Sequence, residues 1–220
     1  MNFQWMSQNA PCPIVEFHDL RTEKFKSDRY LSLLDDQLTA PLLAAGGSRL
    51  GHFRVENHPE RLILLRGFAS MPARRRALTA FHASADWARH RAEATALIRD
   101  ERVLLTRAVT PGDGIRTLQT TEPLIAMISE VRFAEQLGNY HLWLRLLLRK
   151  AGMDPIAAFA TLEAVNDLPA VPVVRNRSQH VALMRVPRGG RVPDMPPDLR
   201  GMLRFSPEVL TLEPAPSLVW

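Results

Sequence analysis

The chain has 220 residues, of which 46% are hydrophobic and 23% are charged. This composition is ordinary for a globular protein with a sizeable core, and the length suits one large domain or two small ones. No stretch approaches the ~18 uninterrupted apolar residues of a membrane span, so no transmembrane helix is expected. The first residues lack the basic start and apolar run of a secretory signal, which predicts a cytoplasmic protein.

The charge pattern argues against nucleic acid as a partner. Basic residues number 28 and acidic residues 23, a net charge of +5, but acidic residues are interspersed almost everywhere. The densest basic cluster is Arg74-Arg75-Arg76, and no nucleic-acid recognition module accompanies it. The single cysteine, Cys12, excludes an internal disulfide and a thiolate metal cluster.

The first half of the chain alternates strand and helix patterns. Leucines recur at helical spacing from Leu31 to Leu42, Gly46-Gly47 end that helix, and Pro41 is expected to kink or divide it. Asn57-His58-Pro59-Glu60 favours a hairpin, and Ser84 is predicted to cap a helix. In chain order the predicted elements are a strand at 14–20, a helix at 27–45, strands at 49–56 and 61–68, helices opening at 71 and 85, and a strand at 102–109.

This β-α-β-β-α-β order is the ferredoxin-like arrangement, and the second half repeats it in a shorter form. Its predicted strands are 124–133, 155–165, 179–186 and 208–213, and its predicted helices are 136–151 and 197–205. The predicted organisation is a tail at 1–13, a ferredoxin-like domain at 14–109, a Thr- and Gly-rich linker at 110–121, a second, degenerate domain at 122–213 and a tail at 214–220.

The strands of the first half have one strongly apolar face and one mixed face. The residues assigned to the apolar face are Val15, Phe17, Phe53, Val55, Ile63, Leu65, Val103 and Leu105. We expect this face to meet the helices, because burial there stabilises the fold. The mixed face is either solvated or packed against the sheet of the second repeat. The second arrangement predicts an α+β fold in which tandem ferredoxin-like (βαββαβ) repeats pack as an α/β barrel with polar groups inside.

The stretch RGFASMPARRRALTAFHASADWARHRAEATALI, followed by VLLTRAV, resembles the NIPSNAP family. The resemblance lies in a strand ending at Arg66-Gly67-Phe68, an Arg-rich helix, the group from Phe81 to Trp87 and the strand Val103-Leu104-Leu105. The first strand is similar to the opening Glu-x-Arg-x-Tyr strand of the family, but it carries His18 and Leu20 where other members differ. The resemblance covers the first half of the chain.

The resemblance implies a dimeric α/β-barrel fold of ferredoxin-like units. Relatives by fold include small cofactor-free monooxygenases, haem-handling enzymes and stress-response barrels, whereas NIPSNAP proteins themselves have no settled biochemical activity. Because fold analogy does not transfer function, the resemblance leaves the ligand and the reaction open.

The candidate ligand-binding residues are the polar side chains that converge on the mixed face: Glu16, His18, His52, Arg54 and Arg66. In a closed barrel they would line the cavity, where a histidine could act as a base and an arginine could hold an anion. The alternative is that they form a satisfied polar network or face solvent.

Other motifs give weaker signals. His82, Asp86 and His90 are spaced four apart, which on one unbroken helix would suit a metal ion. The predicted cap at Ser84 breaks that helix, so no metal is expected, and no cofactor is expected either. Trp87 is interpreted as a core anchor. The sequence contains no nucleophile elbow and no glycine-rich phosphate loop.

Three hypotheses follow for the function. The first is a NIPSNAP-like protein that binds a small hydrophobic or anionic ligand, or a partner, in or beside the barrel. The second is an enzyme of the cofactor-independent monooxygenase or isomerase type that uses His18 or His52. The third is a structural homo-oligomer. A partly apolar pocket with His18, His52 and Arg66 on its wall would separate the first two from the third.

Overall fold

The computed structural model describes residues 12–109, 118, 120–153, 155–185 and 192–215. The strands are β1 (Ile14–Thr22), β2 (Ser48–Val55), β3 (His58–Phe68), β4 (Ile98–Ala108), β5 (Leu124–Glu130), β6 (Pro155–Thr161), β7 (Gln179–Arg185) and β8 (Glu208–Pro214). The helices are α1 (Ser27–Leu33), α2 (Thr39–Ala44), α3 (Met71–His82), α4 (Ala85–Leu97), α5 (Leu137–Lys150) and α6 (Pro197–Gly201). A π-helical segment, Leu34–Leu38, joins α1 to α2, and a 3-10 helix, Ala134–Gln136, precedes α5.

The eight strands close into a barrel in the order β1-β3-β2-β8-β5-β7-β6-β4. Each half of the chain contributes a four-stranded antiparallel sheet with the ferredoxin-like order, β4-β1-β3-β2 from the first half and β8-β5-β7-β6 from the second. Two seams join the sheets: Phe53 of β2 pairs with Pro214 of β8, and Thr106 of β4 pairs with Thr161 of β6. The predicted α+β fold of tandem repeats in a barrel is therefore confirmed, and the barrel closes within one chain.

The predicted orientation of the first sheet is wrong. One buried cluster draws on all eight strands and on none of the helices, so it fills the barrel. It contains Val15, Phe17, Phe53 and Ile63, the face that was expected to meet the helices. The mixed face with Glu16 and His18 points outwards beneath the helices instead. The physical reason is that an eight-stranded barrel fills its interior with side chains, so the most apolar face of each sheet turns inwards.

Strand β4 was also assigned to the wrong faces. Val103 lies opposite His18 and Leu105 lies opposite Glu16, so both belong to the outer face, while Leu104 enters the barrel core. The run from Val103 to Thr106 is buried on both faces, and such a strand gives no alternation of polar and apolar residues. The pattern of β4 therefore could not reveal its orientation.

Two further cores separate the barrel from its helices. Over the first sheet, α1 to α4 pack on Leu20, Leu62 and Leu64. Over the second sheet, α5 and α6 pack on Ile125 and Met184. Among the described residues, no helix has both the length and the apolar character that crossing a membrane requires.

Local sequence signals explain the helix boundaries above the first sheet. The hydroxyl oxygen of Ser70 accepts a hydrogen bond from the Ala73 amide, and that of Ser84 accepts one from the Trp87 amide, each at 3.2 Å. These caps start α3 and α4, so the predicted break at Ser84 is confirmed. The helix is expected to divide at Pro41, but it divides about one turn earlier, at the π-helical segment Leu34–Leu38. Pro41 follows this segment and cannot donate a backbone hydrogen bond.

Candidate functional site

Glu16 and His18 lie on β1 in the layer between the first sheet and its helices. Glu16 has none of its surface exposed and His18 only 2%. The imidazole contacts two carboxylates, with Nε2 at 3.0 Å from Oε2 of Glu16 and Nδ1 at 2.7 Å from Oε1 of Glu101. Two carboxylates around one imidazole favour the doubly protonated ring, because both of its N–H groups can then donate.

Arg74 connects this pair to helix α3. The side chain is fully buried. Its Nε donates a 2.7 Å hydrogen bond to Oε1 of Glu16, and its Nη1 donates a 2.9 Å hydrogen bond to Oδ1 of Asp167. A buried charge is tolerated only when it is paired in this way. Glu16, His18, Arg74, Glu101 and Asp167 together form a network that we call the β1–α3 ion cluster.

The ion cluster fixes the charge of its members. Burial alone would raise the pKa of Glu16, but the hydrogen bond from His18 and the positive charges of His18, Arg66 and Arg74 lower it to about 2. Burial and Arg66 act to lower the pKa of His18, yet the hydrogen bonds to Glu101 and Glu16 raise it above its ordinary 6.5. His18 thus retains its proton more strongly than a free histidine does, which suits a fixed charge better than the predicted base.

Arg66 lies beside the cluster without joining it. It pairs with Glu16 across the β1–β3 ladder and is partly buried. Among the described residues, no carboxylate oxygen lies within 4.0 Å of its guanidinium. Arg61 and Arg74, the buried arginines of the described part of the chain, each contact two carboxylates. Arg66 is therefore a partly buried cation with no direct counter-ion in the described part of the chain.

His82 and Trp87 lie at the junction of α3 and α4, with His82 at the end of α3 and Trp87 in the first turn of α4. The rings of Phe81, His82 and Trp87 lie 5.2–5.3 Å apart, centroid to centroid. Trp87 packs against the outer core, as its interpretation as an anchor requires. Burial and the positive charge of Arg66 lower the pKa of His82, although Glu16 opposes them. His82 is thus a partly exposed imidazole that releases its proton more readily than a free histidine and that feels the charge of Arg66.

The predicted residues His52 and Arg54 lie apart from this centre. Nδ1 of His52 lies 3.2 Å from Oδ1 of Asp35, a residue of the π-helical segment. Burial lowers the pKa of His52 despite that carboxylate. Arg54 forms an ion pair with Asp28 of α1. The structure therefore brings Glu16, His18 and Arg66 together and places His52 and Arg54 under α1 and the π-helical segment.

Sequence reasoning missed Arg74, Glu101, Asp167 and His82 as parts of this centre. A signal for Arg74 was present: Arg74, Ala77, Leu78 and Phe81 follow the i, i+3, i+4, i+7 spacing of a buried helix stripe. The run Arg74-Arg75-Arg76 predicts one basic cluster, but only Arg75 and Arg76 are exposed. Glu101 and Asp167 lie far away in the chain, and only the β1–β4 register and the tertiary fold bring them to His18 and Arg74.

The outer face of the second sheet carries a different buried cluster. Nδ1 of His141 lies 3.0 Å from Nε2 of His180, and the Tyr140 hydroxyl donates a 2.7 Å hydrogen bond to Ser129. Burial, helped by His141, lowers the pKa of His180 to about 3. Acidic residues do not contribute to these contacts, so the two repeats differ in the chemistry of their outer faces.

Four cavities of the described structure lie elsewhere: beside α5 and α6, at the β2–β3 hairpin, along residues 161–177 and at one mouth of the barrel. These four cavities are not lined by His18, His52 or Arg66. The predicted pocket with all three residues on its wall is therefore not among them. Glu16 and His18 instead form the paired polar network that was the alternative.

Comparison with solved structures supports the architecture. A candidate monooxygenase from Fusobacterium nucleatum is similar over 93% of each chain, with a TM-score of 0.56 and 10% identity. A candidate monooxygenase from Lactobacillus acidophilus is similar over 92% of this chain and 94% of its own, with a TM-score of 0.53 and 14% identity.

Several similar structures are NIPSNAP family or domain proteins. One from Agrobacterium tumefaciens is 24% identical, matches 45% of this chain and 97% of its own, and has a TM-score of 0.39. No protein-family profile matches the chain, and no curated protein matches it either. The full-length likenesses thus show a common tandem barrel fold.

Proposed function

We propose that the protein binds a small, largely apolar molecule with an acidic hydroxyl group, such as a phenol or an enol, on the outer face of the first sheet. One observation carries the proposal: Arg66 is a partly buried cation without an ion-pair partner among the described residues, while Arg61 and Arg74 each have two. An arginine in this position is suited to hold an anionic oxygen.

The charges around Arg66 define which ligand fits. The ion cluster contributes three carboxylates, and they face three cations, namely His18, Arg74 and Arg66. The region is therefore close to neutral, and a ligand that enters without net charge disturbs it least. A hydroxyl that passes its proton to His82 would leave an anion beside Arg66 and a cation on the imidazole, so the total charge would not change.

Each residue has a distinct role in this proposal. Arg66 stabilises the ligand oxygen, and the neutral imidazole of His82 accepts its hydrogen bond. Trp87 offers an aromatic surface to the apolar part of the ligand. Of the five predicted ligand-binding residues, Glu16 and His18 hold the sheet face around Arg66 in place, whereas His52 and Arg54 remain with Asp35 and Asp28.

Binding can be tested with para-nitrophenol, because its anion is coloured and its neutral form is not. The parent protein is expected to bind the probe and to increase the fraction of coloured anion below the pKa of the free phenol. Arg66→Gln should abolish that increase, and the exposed Arg75→Gln is the matched control with the same change in charge. Equal colour and equal affinity in the Arg66 variant and the control would refute the proposal.

A proton-abstracting enzyme is the second candidate, and the lowered pKa of His82 favours it. In such an enzyme His82, rather than His18 or His52, would be the base that removes the hydroxyl proton. The monooxygenase names of the full-length structural neighbours belong to those proteins. His82→Gln should remove turnover, while His58→Gln, on the exposed β2–β3 hairpin, should retain it.

We also infer a NIPSNAP-like identity from the motif between Arg66 and Leu105. A cytoplasmic location stays a prediction.

Self-association is the third candidate, because α5 exposes Leu142, Trp143 and Leu146. Light scattering on the parent and on Leu146→Glu would test it. A parent that is a monomer at high concentration would refute a homo-oligomer.

A further inference from the structure

One mouth of the barrel contains a cavity of about 150 Å³ on the inner side of the first sheet. Its floor is the end of the barrel core, formed by Phe17, Leu104 and Ile128. Its rim is polar and includes four arginines and two carboxylates. Because the sheet separates this cavity from Arg66 and His82, it is a different place from the proposed phenol site.

Both carboxylates of the rim, those of Asp19 and Glu208, form ion pairs with Arg61. Its Nε and Nη2 each donate a 2.8 Å hydrogen bond to Asp19, and its Nη1 donates a 2.6 Å hydrogen bond to Glu208. The Arg61 side chain is only 8% exposed, so this triad is a fixed part of the wall. Neither Asp19 nor Glu208 forms an ion pair with a second rim arginine within the described residues.

Two cations of the rim have no ion-pair partner among the described residues. Arg177 donates to Glu130 at 2.7 Å. Arg21 and Arg102 line the cavity, yet in the described ranges neither forms an ion pair. Arginine presents N–H groups in a planar fork that matches a carboxylate. Two such side chains above an apolar floor are arranged to hold an organic anion by its charged end.

Gln179 adds an unsatisfied acceptor at the same rim. Its side-chain oxygen is buried and has no hydrogen-bond partner in the described structure. A buried acceptor without a partner is costly, and a donor from a ligand would remove that cost. A hydroxyl group next to the carboxylate of the ligand would supply it.

We propose that this mouth of the barrel binds a small hydroxycarboxylate with an apolar body. The carboxylate lies against Arg21 and Arg102, the hydroxyl donates to Gln179, and the apolar body contacts Phe17, Leu104 and Ile128. The cavity volume limits the ligand to a compact molecule. The site requires nothing of Arg66, so it does not depend on the proposed phenol site.

Mandelate is the probe, because it combines a carboxylate, a hydroxyl and a phenyl ring. Calorimetric titration should show the highest affinity for mandelate and a lower affinity for phenylacetate, which lacks the hydroxyl. Methyl mandelate, which is neutral, should not bind. The double variant Arg21→Gln/Arg102→Gln should weaken mandelate binding at least about tenfold per arginine. The matched control is Arg75→Gln/Arg76→Gln, which removes the same charge from the exposed side of α3.

Gln179 provides a second test that leaves both arginines in place. Gln179→Leu should remove the preference for mandelate over phenylacetate, and Arg66→Gln should change neither affinity. Circular dichroism will show that each variant is folded. The proposal is overturned if mandelate does not bind, if methyl mandelate binds as tightly, or if the double variant and its control have the same affinity.

Discussion

Nε of Arg74 donates a 2.7 Å hydrogen bond to Oε1 of Glu16, and neither side chain has any exposed surface. This contact joins helix α3 to strand β1 beneath the helical layer. Because one partner of a buried pair leaves an uncompensated charge when the other is removed, the contact should be sensitive to single substitutions.

Arg74→Met should lower the free energy of unfolding by about 3 kcal/mol or more. The substitution retains much of the apolar volume but removes the hydrogen bonds to Glu16 and Asp167. Urea unfolding measures the change. Arg75→Met, one residue further along and exposed, is the control and should stay within about 0.5 kcal/mol of the parent. Similar losses in both variants would show that the Arg74 contacts contribute little.

Glu101→Gln should lower the pKa of His18, since the hydrogen bond to Glu101 is the largest influence that raises it. The pKa of His18 can be followed by NMR of the ring protons. A raised pKa in the folded state stabilises the protein below pH 6.5, and that contribution disappears as the pH rises through the folded pKa. Glu93→Gln, which removes a surface partner of Arg29, should leave the His18 titration unchanged. An unaltered His18 pKa in Glu101→Gln would contradict the geometry.

The sequence predicted the barrel because both repeats have the same order of strands and helices. It did not predict which face points inwards. Val15 and Phe17 are as apolar as a helix-covered face would require, and period-two alternation assigns residues to faces without saying what covers each one. Once the sheets close, the interior takes the face with the fewest polar groups, and Glu16 moves beneath the helices, where Arg74 can reach it.

The candidate site was predictable only in part for the same reason. Glu16, His18 and Arg66 share a face and lie on neighbouring strands, so their convergence follows from alternation and strand order. His82 comes from a helix end, and Glu101, which is partly buried, lies just before the predicted strand at 102–109, whose faces could not be oriented. Their contribution depends on tertiary packing, which the sequence pattern does not contain.

The stability of the protein should fall as the pH decreases from 6.5 towards 3, because His180 stays neutral when folded and takes up a proton when unfolded. Unfolded protein binds more protons in this range, so stability rises with pH, at a limiting slope of about 1.4 kcal/mol per pH unit. His180→Leu should reduce the slope of the profile above about pH 5, where Glu16 is largely ionised in both states. The lowered pKa values of His52, His82 and His141 should leave a smaller slope of the same sign. The exposed His58→Gln serves as the control. A profile that is as steep in His180→Leu as in the parent would assign the effect to other groups.

Gly67→Ala should destabilise the protein by about 1–3 kcal/mol, because the barrel interior has no space for the added methyl group. A Cβ at Gly67 would lie 2.7 Å from both Cβ and Sγ of Cys12 and 2.9 Å from Cδ1 of Leu50. Gly138→Ala is the matched control: a Cβ there meets nothing within 4 Å, and alanine in the first turn of α5 should be neutral or stabilising by up to about 1 kcal/mol. Thermal or urea unfolding of both variants gives the comparison. If Gly67→Ala were as stable as Gly138→Ala, the inner face of β3 would be loosely packed, and the inward orientation of the apolar face would be wrong.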